Sequence, residues 1–114
     1  MLEIKIIERV KILEIEFIKE LCRNKKIRWT NHIFVRLVQR GISMNDVTTA
    51  IINGEIIENY PDDYPYPSCL ILGLTVNNKP LHVVCGTNGI ELWLITAYYP
   101  NADMWSSDFK TRKE

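Results

Sequence analysis

At Gly54 the spacing of apolar residues changes period, and that change limits what this chain can fold into. Before it, apolar residues recur at intervals of three and four: Ile6, Val10, Leu13, Phe17 and Leu21 in the first stretch, and Val47, Ala50, Ile51 and Ile52 in the last. Such spacing lays one apolar stripe along a helix. After Gly54 the interval falls to two. "SCLILGLTV" sets Leu70, Leu72, Leu74 and Val76 on one face, and Leu81, Val83 and Cys85 alternate with His82 and Val84. Period two belongs to strands. Helices first and strands second predict an α+β domain, with N-terminal helices packed on a four-stranded antiparallel β-meander.

Local signals set the expected boundaries. A first helix is predicted from Leu2 to about Lys25, although "LEIKI" also alternates as a short strand would. "IRW" reads as a connector or short strand. Thr30 or Asn31 offers an N-cap, and Gly41 a left-handed stop, for a second helix of about ten residues. Ser43 with Asp46 forms a capping-box start for a third helix that Gly54 ends. "EIIENY", "SCLILGLTV", "PLHVVCG" and "IELWLITAYYP" are the strands. "PDDYPYP", "NNK" and the Asn-Gly of "TNG" separate them. The last stretch, "NADMWSSDFKTRKE", reads as irregular, with Trp105 as a docking point. One compact domain is expected, made of an N-terminal helix, 1–26, and an α+β body, 27–114.

Composition narrows the class. With 114 residues, 46% of them hydrophobic, the chain can build one modest core. Its longest apolar run, "CLILGLTV", is too short to span a bilayer, and charges throughout the N-terminal stretch do not fit a secretory leader. Cys22, Cys69 and Cys85 are odd in number and lack C-x-x-C spacing, so the reading is buried thiols in a reducing cytoplasm. Asp62 and Asp63 have no further carboxylate at metal-binding spacing; neither a metal nor a cofactor is expected.

Formal net charge is zero, yet the charge is unevenly spread. Arg23, Lys25, Lys26, Arg28, Arg36 and Arg40 fall in a stretch with no acidic residue. Such a cluster attracts polyanions, RNA in particular, and makes Arg23, Lys25, Lys26 and Arg28 candidate RNA contacts; a plain solvated face is the competing reading.

Within that stretch, His32, Arg36 and Arg40 recur every four residues and lie within about 80° of one another on a helix. Ile33, Phe34, Leu37 and Val38 are expected to be buried opposite them. Like charges four apart weaken a helix slightly, so the row is not placed for helix stability. His32 falls in the first turn, where unpaired N–H groups point outward, and a neutral imidazole there suits a general base. Arginines can hold a phosphate and stabilise charge growing on it. Together they fit metal-independent cleavage of RNA by attack of the 2′-OH. The competing reading makes His32 a cap or packing residue and leaves the arginines solvated or paired.

His82 is the candidate acid, expected to point away from the main packed face. Thr96 and Tyr98 are candidates for the same groove, or else Tyr98 is a core residue. Tyr60, Tyr64 and Tyr66 could stack on bases or fold over the sheet edge. Trp29, Trp93 and Trp105 read as core. Both sides of "IELWLITAYY" are apolar, so helices on one face alone would leave the other bare, which suits a protein partner or self-association into a homodimer.

Four blocks in order, "T-x-H-x-x-x-R-L-x-x-R-G-I-S", "AIINGEIIENY", "KPLHVV" and "ITAYYP", followed by Trp105 and Arg112, resemble the bacterial and archaeal domain-of-unknown-function 4258 family from about Ile27 to Arg112. Thr30, Ile33 and Leu37 depart from the usual Ser, Ala and Met without moving His32, Arg36 or Arg40 out of register. The family is similar to small toxin-like domains of the RelE/barnase-EndoU superfamily. The resemblance implies helices on a four-stranded antiparallel sheet, a toxin-like ribonuclease or a decayed relative, and a small antitoxin as partner. His32, Arg36, Arg40, His82 and Tyr98 would then form the site. The alternative is a non-catalytic RNA- or protein-binding module of a mobile element.

Overall fold

The computed structural model describes residues 13–114. Three helices, α1 (Ile15–Arg23), α2 (Asn31–Arg40) and α3 (Met44–Asn53), precede the main strands β2 (Glu55–Tyr60), β3 (Ser68–Leu74), β4 (Pro80–Thr87) and β5 (Leu92–Tyr98); a two-residue strand, β1 (Ile27–Arg28), lies between α1 and α2. The class is α+β, as expected, but the sheet has five strands in the order β1-β5-β4-β3-β2. The additional pairing is parallel: Ile27 and Arg28 lie beside Leu92 and Trp93, and the Leu92 amide donates to the Lys26 carbonyl at 2.8 Å. A two-residue strand is too short to show alternation, so its pairing is absent from the periodic signal. Among the described residues no helix is long and apolar enough to cross a membrane.

The helix ends follow the capping chemistry. The Thr30 hydroxyl accepts from the Ile33 amide at 3.2 Å, and Gly41 closes α2 at φ 68°. Ser43 and Asp46 cap each other reciprocally at the start of α3. Gly54, in contrast, is not left-handed; its φ is −94°. It and Gly73 are required by close approach instead. A Cβ would lie 2.4 Å from the Ala50 carbonyl oxygen at Gly54, and 1.9 Å from it at Gly73. The two bare backbones let α3 settle directly onto β3.

The helices cover one sheet face. Ile18, Leu21, Ile33, Leu37, Val47 and Ile51 pack there against Cys69, Ile71, Leu81, Val83, Cys85, Leu92 and Ala97. The described part of the first helix belongs to this core, while its predicted positions Ile6 and Val10 lie outside the described residues. Two burial expectations fail. Phe17 is half exposed, with Ile18 and Cys22 on the buried stripe instead. On α2 only Ile33 and Leu37 are buried; Val38 is 80% exposed, and Phe34, 38% exposed, stacks on Trp29 at 6.0 Å rather than entering the core. The three cysteines are free and buried.

The opposite sheet face is not bare. It carries Leu70 and His82, both fully buried. The C-terminal residues 101–113 cross it, with Trp105 buried against His82 at a ring separation of 4.5 Å. The apolar second side that the sequence suggested for a partner is therefore covered in part by the chain itself.

Candidate functional site

The predicted row divides. His32 and Arg36 stand exposed on α2, and neither has a hydrogen-bond or ion-pair partner among the described residues. Arg40 is committed elsewhere. Its Nη1 donates to the Thr96 hydroxyl at 3.0 Å and to the Ala97 carbonyl at 2.8 Å, so it pins α2 to the edge of β5. That use competes with the expected phosphate clamp at Arg40, although Nε and Nη2 make no hydrogen bond among the described residues.

The basic quartet divides in the same way. Arg28 meets Glu91 at 2.9 Å and lies over the Trp93 ring at 5.6 Å; Arg23 meets Glu20 at 3.8 Å. Local carboxylates thus offset two of the four cations. Lys25 and Lys26 are exposed in the turn between α1 and β1, without an acidic partner among the described residues.

His82 and Tyr98 face one another across β4 and β5, as the strand alternation requires, with ring centroids 5.4 Å apart. His82 nevertheless has no exposed surface. Its Nε2–H donates to the Phe109 carbonyl at 2.9 Å, Trp105 covers the ring, and Nδ1 is buried without a partner. Burial holds its pKa below the ordinary histidine value of 6.5, although the Phe109 carbonyl and the Glu58 carboxylate oppose that shift. The expected candidate acid is therefore sealed from substrate in this arrangement. Strand alternation turns His82 away from the helices, and its cover comes from a distant segment of the chain. Tyr98 is half-buried, and desolvation raises its hydroxyl pKa.

Three further residues complete this cluster. Arg112 grips Glu58 with two donors, at 2.9 and 3.1 Å, and lies 4.7 Å from the Trp105 ring centroid. The Tyr60 hydroxyl donates to Glu58 at 2.5 Å. Arg112 pulls the Glu58 carboxyl below the usual carboxylate range, whereas burial and the Glu58 bond push Tyr60 up to about 12. Glu58 and Tyr60, two apart on β2, share a face, which is the one signal the sequence offered for them. Arg112 was noticed only through the family resemblance.

Of the loop tyrosines, Tyr66 packs edge-on against Trp93 at 5.0 Å, while Tyr64 is 95% exposed. No hydrogen bond or ring pairing joins His32 to His82 or Tyr98 among the described residues. Along α2, eight residues separate His32 from Arg40, a rise of about 12 Å.

The family model described as Domain of unknown function (DUF4258) matches residues 29–99. The chain belongs to that family. The match includes both histidines and stops before Trp105 and Arg112, so it is shorter than the span from 27 to 112 that the motifs suggested. No curated protein and no solved structure matches the chain.

Proposed function

We propose that this family member binds RNA through the outward side of α2 and the basic turn ahead of β1. The observation that carries the reading is an exposed histidine and arginine one helical turn apart, His32 and Arg36, with no acidic partner among the described residues. Nothing in the packing of α2 requires them. Lys25 and Lys26 supply further unpaired charge, whereas Arg23, Arg28 and Arg40 are engaged within the protein.

Counting charges turns this into a number. Three free cations on single-stranded RNA give a slope of log affinity against log salt of about −2; all six would give about −4. Titrating a labelled single-stranded RNA at several salt concentrations measures it. Arg36→Ala should lower affinity and flatten the slope, and Arg28→Ala should do so less. Binding that ignores salt, or the absence of binding at low salt, would refute the reading.

A second reading is a toxin-type endoribonuclease, favoured by the His82, Tyr98 and Glu58 cluster. A base removes the ribose 2′-OH proton, and the O2′–P bond forms as the P–O5′ bond breaks. An acid returns a proton to the departing 5′-oxygen, leaving a 2′,3′-cyclic phosphate. Base and acid must flank one phosphate, but among the described residues no hydrogen bond or ring pairing links His32 to the cluster, and His82 is buried. Cleavage therefore calls for a base other than His32 or for exposure of His82. Cyclic ends that survive EDTA support this reading, and their loss in His32→Ala would restore His32 as the base. In this reading a small antitoxin is the partner. The exposed Phe34, Val35 and Val38 on α2 provide apolar surface for it or for a second copy of the chain. Growth arrest on expression, relieved by a neighbouring gene, is the cellular test.

A further inference from the structure

His82 is one of only two histidines in the chain, and Trp105 and Phe109, which cap its ring and bind its Nε2, come from one segment. Residues 104–113 form a small hairpin closed on itself. The Trp105–Arg112 bridge, the Lys113 amide on the Met104 carbonyl and the Ser106 amide on the Thr111 carbonyl hold it together. Its local turn is fastened by the Asp108 carboxylate, which accepts from the Ser106 hydroxyl and the Lys110 amide.

Its attachments to the sheet are of another kind. Among the described residues, no backbone-to-backbone hydrogen bond joins hairpin to sheet. Arg112 holds Glu58, Lys110 holds Glu55 at 3.1 Å, His82 donates to the Phe109 carbonyl, and the Trp105 indole lies on the imidazole. Both cationic side chains are about half exposed. A unit that keeps its own backbone bonds can leave without losing them, and only side-chain contacts need to break. What it uncovers is an imidazole with one nitrogen unpartnered, a tyrosine and a carboxylate, grouped on a single face. A buried polar atom without a partner calls for an explanation, and a site kept shut provides one. The family match ends at residue 99, immediately before this segment.

We propose that residues 101–114 are a hinged strap, turning about Tyr99–Asn101, that shuts a substrate site made by His82, Tyr98 and Glu58. The nature of that substrate, an RNA phosphodiester, rests on the ribonuclease reading above; the strap itself does not.

The two histidines make the test internal. Diethyl pyrocarbonate should modify His32 and spare His82 in the parent chain, as read by peptide mass spectrometry. In the full-length Arg112→Ala and Lys110→Ala/Arg112→Ala variants, His82 modification should rise by about tenfold or more, with His32 unchanged and cooperative urea unfolding retained. Glu58→Gln, which loosens the same ion pair from the sheet side, should act alike. His82 remaining as protected as in the parent, or becoming reactive only in proportion to global unfolding, would overturn the strap. Incubating the same variants with single-stranded RNA in EDTA separates the two ideas. Faster formation of cyclic ends supports both. An opened His82 with no cleavage leaves the strap standing and removes the ribonuclease assignment.

Discussion

The open side of α2 and the far side of the sheet treat their histidines in opposite ways. His32 stands in solvent on a helix that buries only Ile33 and Leu37 among its apolar residues. His82 sits beneath an indole and a backbone carbonyl, with Arg112 and Glu58 at its margin. Periodicity assigned both to the correct side of their elements. What differs is the matter in front of them, and for His82 that matter comes from 27 residues farther along the chain. Direction is a local property of a strand or helix; exposure is a property of the whole fold.

The largest expected break in this contrast is Trp105→Ala. It removes the indole that seals His82 and should cost about 3–5 kcal/mol in urea-derived stability, as large aromatic deletions do. If the loss is within about 0.5 kcal/mol, the far face is not packed as described.

Arg40→Ala comes next. Loss of its bonds to Thr96 and Ala97 should cost about 1–2 kcal/mol and leave the salt slope of RNA binding unchanged. A flattened slope with unchanged stability would return Arg40 to the phosphate-holding role.

Titration sharpens the contrast further. The unfolded chain takes a proton at His82 below about pH 6.5, whereas the sealed imidazole resists it, so the unfolded state binds more protons and acid favours it. Stability should therefore fall as pH drops from 6.5 toward the depressed folded value, by no more than about 1.4 kcal/mol per pH unit. The neighbouring groups that titrate elsewhere are Glu58, whose stabilising contribution is lost at lower pH, and Tyr98, which is uncharged throughout this window. His82→Gln should abolish the slope across this window, and a slope that persists would place its origin elsewhere. The smallest effects belong to the open side: His32→Ala and Arg36→Ala should each change stability by less than about 0.5 kcal/mol.

The same division marks what was legible in the sequence. The Thr30 cap, the Gly41 stop and the Ser43–Asp46 box were readable because each involves residues at most a few positions apart. The pairing of β1 was not, since two residues carry no period. Phe34 and Val38 were misjudged because an apolar stripe shows that a helix has a side to bury without showing how wide its contact is. At Gly54 the stop was legible and its reason was not: the obstacle is the Ala50 carbonyl under β3. The His82 cluster required the Glu58–Arg112 pair, 54 residues apart, and the polar composition of the last stretch disguised a cover as a frayed end.

Beyond Trp93, β5 has no strand on its outer side among the described residues, and a free rim of that sort is a template on which a foreign chain can crystallise into more sheet. By occupying the Ala97 oxygen with a bulky cation, the last arginine of α2 removes one rung of that template. Its place in the sequence thus guards one point of an edge at which another strand could add.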